Sequence, residues 1–209
     1  MSLVFYFQIA IASDVLLKEF KADPNKKSLD KLRSKVLKIG APAVPSLITI
    51  MKSEEYPENS RWMATFLLGR IAGNKASPFI AKFLKHPNFL MRLASLKTLL
   101  ILKEDKRGDE FSALLKDPSL IVRYQALDNI KTLKLSKEAP HVWAMMFDEQ
   151  NYAGKKGARK RTNIIKKVVE TVGELKYIPA KDKLVAMTKK SEYADIKSEL
   201  NYSLAKMNR

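Results

Sequence analysis

The sequence predicts an all-α protein, an array of about six helical pairs. Three observations predict it. The nine residues LKHPNFLMR at Leu84–Arg92 return as LKDPSLIVR at Leu115–Arg123, 31 positions on. Small and apolar residues follow Arg61, Arg92 and Arg123 at spacings of 3, 7 and 10: Ala64, Ser95 and Ala126; Leu68, Leu99 and Ile130; Ile71, Leu102 and Leu133. Those spacings trace one face of an α-helix, with the small residue where a neighbouring helix can approach closely. Finally, 209 residues at 46% apolar suffice for a core, in one domain or one repeat array.

Each unit reads as helix A, a tight turn, then helix B with an early arginine. The turns hold Glu55, His86 and Asp117, each six positions before its arginine, with Pro57, Pro87 and Pro118 close behind. Proline stops one helix and is tolerated in the first turn of the next. Pro78–Lys85 and Asp109–Lys116 are the A helices of two units. At the start, Leu3–Ala12 is an apolar run read as a terminal helix capping the core, too short for the about 20 residues of a membrane span. Ala10–Ile11–Ala12 also has the small-x-small form of a signal cleavage site, which would make the protein exported or periplasmic; the leading expectation is cytoplasmic. Asp23–Pro24 fits the first turn, with Leu29 in the arginine slot and Ile39 ten beyond.

In APHVWAMMF, Trp143, Met145 and Met146 lie on an A helix and read as core. Leu175 matches Leu133 but lies 42 residues on, so one unit carries about 11 extra residues, EQNYAGKKGAR at Glu149–Arg159. At the far end Ser191 and Lys197 take the turn and arginine slots, ahead of Leu200, Leu204 and Met207. The expected organisation is one domain over 1–209, with repeats near 3–39, 43–72, 75–104, 108–134, 138–176 (basic insertion 149–159) and 179–207. Atypical ends are expected, because an end repeat faces water on one side.

The pattern resembles the HEAT repeat, in its short form named after phycobilisome lyases. That family places an Asp in the turn and an Arg six later, forming a hydrogen-bonded ladder between repeats. Asp117–Arg123 matches fully; Glu55–Arg61 and His86–Arg92 match with a changed acceptor; IGAPAVPSLITIM at Ile39–Met51 looks like the inter-repeat turn and A helix. The resemblance implies a right-handed α–α superhelix, a HEAT-like solenoid. It implies a structural ladder of Glu55, Arg61, His86, Arg92, Asp117 and Arg123, and B helices that line a concave binding face. On that face Trp62 and Tyr124, each one residue after a ladder arginine, are candidate partner contacts.

Charge narrows the partner. Lys and Arg number 39 against 22 Asp and Glu, a net charge of +17, which favours acidic partners. From Glu149 to Lys190 there are 12 bases and four acids, while the remainder of the chain from Ile101 nets to zero. The focus is a basic loop of Lys155, Lys156, Arg159, Lys160, Arg161, Lys166 and Lys167, with Gly154 and Gly157 to loosen it. Tyr152 is its sole aromatic, little support for base stacking.

Catalytic chemistry has few footholds. The chain has no cysteine, which excludes disulfides, thiolate catalysis and Cys-ligated zinc. His86 and His141 lie far apart, and no nucleotide-binding or nucleophile-elbow glycine motif is present. No catalytic residue, metal or cofactor is therefore expected. The expected function is a non-enzymatic scaffold binding an acidic or extended protein partner through its concave face and basic loop. The alternative is sequence-independent binding of nucleic acid. HEAT-like folds also occur in alkylpurine DNA glycosylases, which pair concave-face tryptophans with an Asp; Asp128 is on a B helix here without an accompanying Trp. A bilin lyase, the family's namesake, fits poorly with this basicity. Oligomeric state is not legible.

Overall fold

A computed structural model describes residues 14–22, 26–154 and 160–208. The apolar run 3–12, the Asp23–Pro24 turn, and Lys155, Lys156, Gly157 and Arg159 of the basic loop lie outside the described residues. Apart from one short β-pair, the described elements are helical, and the chain divides into two compact units, residues 1–104 and 105–209.

In the first unit, α1 (14–21) precedes α2 (Lys26–Ile39), α3 (Val44–Lys52), α4 (Glu58–Ala72), α5 (Ser77–Ala81) and α6 (Phe89–Ile101). Leu16 and Phe20 anchor α1 in the core. α3 packs on α4, α5 on α6, and the B helices α2, α4 and α6 lie side by side. Gly40 and Gly73, just past the ends of α2 and α4, have φ of 67° and 56° with strongly negative ψ, a region closed to side chains with a Cβ. These two turns need glycine.

In the second unit, α7 (Gly108–Ala113) pairs with α8 (Leu120–Thr132), α9 (Ala139–Ala144) with α10 (Asn163–Glu174), and α11 (Lys181–Thr188) with α12 (Lys197–Met207). α8 packs on α10 and α10 on α12. At Gly173 a Cβ would stand 2.5 Å from the Ser203 backbone, so α10 and α12 meet there nearly backbone to backbone. Strands β1 (Tyr152–Ala153) and β2 (Lys160–Arg161) pair antiparallel, Tyr152 opposite Arg161.

The 31-residue period is visible in the helices. B helices begin at Glu58, Phe89 and Leu120, and A helices at Ser77, Gly108 and Ala139. α5, α7 and α9 are short and continue as 3-10 turns through Lys85, Lys116 and Phe147. Ala64, Ser95 and Ala126 are fully buried, as are Leu68, Leu99 and Ile130 to within 1%. Ile71, Leu102 and Leu133 are only half-buried, because they fall at or next to a helix end. Four buried hydroxyls find partners within their own helix: Thr65, Ser95, Thr98 and Thr171 each donate to the carbonyl four residues earlier.

Three B helices end in the same way. Lys103, Lys134 and Lys176 adopt φ of 54°, 53° and 50°. At each, the next residue's N–H reaches back five positions, Glu104 to Leu99, Leu135 to Ile130 and Tyr177 to Val172, at 3.0 Å. The lysine N–H bonds the carbonyl three back, on Leu100, Lys131 and Gly173. This is the Schellman stop, with lysine where glycine is usual.

Candidate functional site: the B-helix faces and their turns

The turn arginines are built into the fold. Arg61, 4% exposed, donates from Nε and Nη2 to the Met51 carbonyl at 3.3 Å and meets His86 Nε2 at 2.9 Å. Arg92 donates to the carbonyls of His86 and Pro87, at 2.8 and 2.7 Å. Arg123, 3% exposed, donates to the Asp117 and Pro118 carbonyls, the Gln150 carbonyl and Asn151 Oδ1. A guanidinium has five fixed donors, which suits it to gather several carbonyls at once. Glu55 is not part of this set; it faces outward and pairs with Lys21 at 2.7 Å. That contact holds the Glu55 carboxyl below its ordinary range and lifts the Lys21 ammonium.

The turn residue's side chain braces the turn that follows it, accepting from the N–H two residues on. His86 Nδ1 accepts from the Asn88 N–H at 3.0 Å, Asp117 Oδ1 from Ser119 at 2.8 Å, and Asp148 Oδ1 from Gln150 at 3.0 Å. Asp148 stands 31 residues after Asp117, so the period alone would have found it. Asn151 is the less legible member. It lies in the expected insertion, yet is fully buried, accepting from Arg123 Nε at 2.9 Å and donating to the Met145 carbonyl at 2.9 Å. Tyr152 donates its hydroxyl to the Met146 carbonyl at 2.6 Å, so residues 151–152 are structural. The insertion displaced this partner from the 31-residue register and hid it.

His86 is strained electrostatically. A neutral imidazole has one lone pair for in-plane acceptance, and here both ring nitrogens face donors, the Asn88 N–H and Arg61 Nη2. Burial and the Arg61 charge hold its pKa below the usual 6.5.

Trp62 and Tyr124 occupy equivalent places on α4 and α8 and remain 37% and 41% exposed. Trp62 rests on Phe66, ring centroids 4.5 Å apart. Tyr124 is covered on one face by Lys167, whose Nζ lies 4.3 Å from the ring centroid. Trp143, read as core, is half-buried and edge-on to the exposed Phe147, while Met145 and Met146 are buried.

Of the four described bases of the basic loop, three are paired. Lys167 binds Asp128 at 2.5 Å, Lys166 lies 3.6 Å from Glu199, and Arg161 donates to Asp195 at 2.8 Å and the Glu192 carbonyl at 2.7 Å while stacking over Tyr193. Lys160 is exposed, and its ammonium has no hydrogen bond or ion pair among the described residues. Among those residues no three or more His, Asp or Glu side chains are grouped to hold a metal ion, and no helix is long and apolar enough to cross a membrane.

With this geometry in place, the comparisons assign a class. Residues 44–131, from α3 to the end of α8, match the family described as HEAT repeats. With the packed helical pairs of both units, this is an all-α, HEAT-like repeat protein. HEAT repeats are generally protein-interaction modules and typically not enzymes. No curated protein matches the chain.

Proposed function

We propose that this protein is a non-enzymatic scaffold that binds an acidic, extended protein partner through the exposed sides of its B helices and the basic residues around Lys160. The observation that carries the reading is the pair Trp62 and Tyr124: aromatics left more than a third exposed at equivalent positions of two HEAT-like units, in a chain of net charge +17. Exposed aromatics supply anchoring area, and the positive field selects and steers an acidic partner. The pairing of Arg161, Lys166 and Lys167 with Asp195, Glu199 and Asp128 leaves fewer open cations for any anion, carboxylate or phosphate, and puts the weight of the reading on the exposed aromatics.

Fluorescence anisotropy tests this with labelled poly(Glu,Tyr), a labelled random DNA duplex and a labelled DNA single strand, from low to physiological salt. The scaffold reading expects the copolymer to bind most tightly, with a salt dependence shallower than that of the duplex. Tighter binding of duplex, with log affinity falling by about 0.9 per phosphate contact per log unit of salt, overturns it in favour of nucleic acid.

A further inference from the structure

The first unit holds a groove of about 510 Å3 along α2, α4 and α6, a size usual for ligand sites. Met63, Leu67 and Leu102 line it, with the tilted ring pair Trp62 and Phe66. Ile101, 66% exposed, is also part of the lining. Gly69 adds to the apolar interior by its missing side chain; a Cβ there would collide with the Thr98 methyl. Two arginines lie in the same lining: Arg33 from α2 and Arg70 from α4. Both are exposed, and among the described residues neither guanidinium has a hydrogen bond or ion pair. α2 carries six bases against one acid, Asp30, which is the groove's single carboxylate.

We propose that this groove binds an acidic peptide segment, seating one bulky apolar side chain against Trp62 and Phe66 and placing a flanking carboxylate on Arg33 or Arg70. The proposal rests on the scaffold reading and narrows it to a binding motif. Each half of the motif answers a feature of the groove. The aromatic wall offers apolar area that a purely acidic chain would leave wet. The free guanidinium forks match a carboxylate in two parallel hydrogen bonds. A basic peptide would face two cations with only Asp30 to offset them.

The test uses the full chain carrying Trp143→Phe, which leaves Trp62 as the sole tryptophan. The probe is the capped hexapeptide EDLFED. Controls are EDAAED, KKLFKK and phosphatidylglycerol vesicles. EDLFED is expected to shift Trp62 emission saturably, and EDAAED and KKLFKK to bind more weakly by about tenfold or more. The double variant Arg33→Glu/Arg70→Glu is expected to lose about tenfold or more in affinity. Ile101→Asp, at an exposed position, should weaken binding with both arginines intact; circular dichroism confirms that each variant is folded.

Undiminished binding in either variant, equal binding of EDAAED, or no binding of EDLFED overturns the proposal. So does the Trp62 response being produced by vesicles and not by the peptide, which would make the groove a membrane contact. If EDLFED fails while poly(Glu,Tyr) still binds, the groove is wrong and the scaffold stands. If both fail, the scaffold reading falls as well.

Discussion

At the scale of single residues, the turns contain one poor fit and one very good one. His86 sits where Asp117 sits in the next unit, and it offers one lone pair to two donors. His86→Asp would accept from both and give Arg61 a counter-charge. We expect a gain of about 1–2 kcal/mol in unfolding free energy, checked by urea denaturation. The pH dependence has a definite sign. The His86 pKa is lowered in the folded chain, so the unfolded chain takes up that proton first as pH falls. This contribution is whole above the ordinary histidine pKa of about 6.5 and is lost as pH drops through it. His86→Asp should remove that slope; an unchanged slope would place its origin elsewhere. Arg123 is the good fit, a buried guanidinium serving four acceptors. Arg123→Ala strands them and is expected to cost about 2–4 kcal/mol. Arg123→Lys should recover little of the loss, because a single ammonium cannot span both turns.

At the scale of elements, the lysines that end α6, α8 and α10 invite a simple substitution. A left-handed backbone costs a side-chain-bearing residue about 1 kcal/mol that glycine does not incur. Lys134→Gly should therefore raise stability by about 0.5–1 kcal/mol, read as a higher melting temperature; a fall would mean that the lysine charge at the helix C-terminus matters more than its strain. These stops also show what can be read from sequence. B-helix starts were legible because proline and arginine mark the turn, and Ala64, Ser95 and Ala126 because close packing demands small side chains. The stops were hidden because lysine carries no signal for positive φ. The 3-10 ends of the A helices were hidden because they differ from α-helix in hydrogen-bond spacing, not in side-chain pattern. The Trp62 groove was half visible: the aromatic stood out, but Arg33 and Leu102 join it only when helices distant in sequence pack together. The ion pairs of Lys166 and Lys167 were missed for the same reason, since Glu199 and Asp128 lie more than 30 residues away.

At the scale of the whole molecule, charge dominates. A net +17 on 209 residues sets most like charges against one another, and the surface ion pairs that offset this are individually weak. Raising salt from about 10 to 150 mM shortens the Debye length from about 30 to 8 Å. The melting temperature should rise over that range. A fall would show that the ion pairs outweigh the repulsion. The boundary near residue 104 between the two compact units has no mark in the sequence, because the 31-residue register passes through it from Arg92 to Arg123.

The two-residue pairing of β1 with β2 has a practical meaning. Ala153 and Lys160 stand opposite each other, one strand-spacing or about 5 Å apart. Beside this pair, Asn151 and Tyr152 are fastened to the turn, and Thr162 donates to the Asn151 carbonyl at 2.6 Å. Segments spliced between Ala153 and Lys160 would thus start and finish at a fixed latch. Closing a longer segment there adds only about 0.6 kcal/mol for each doubling of its length. That makes the hairpin a natural port for a fluorescent reporter or an epitope, carried by the repeat protein without disturbing the helices that hold it.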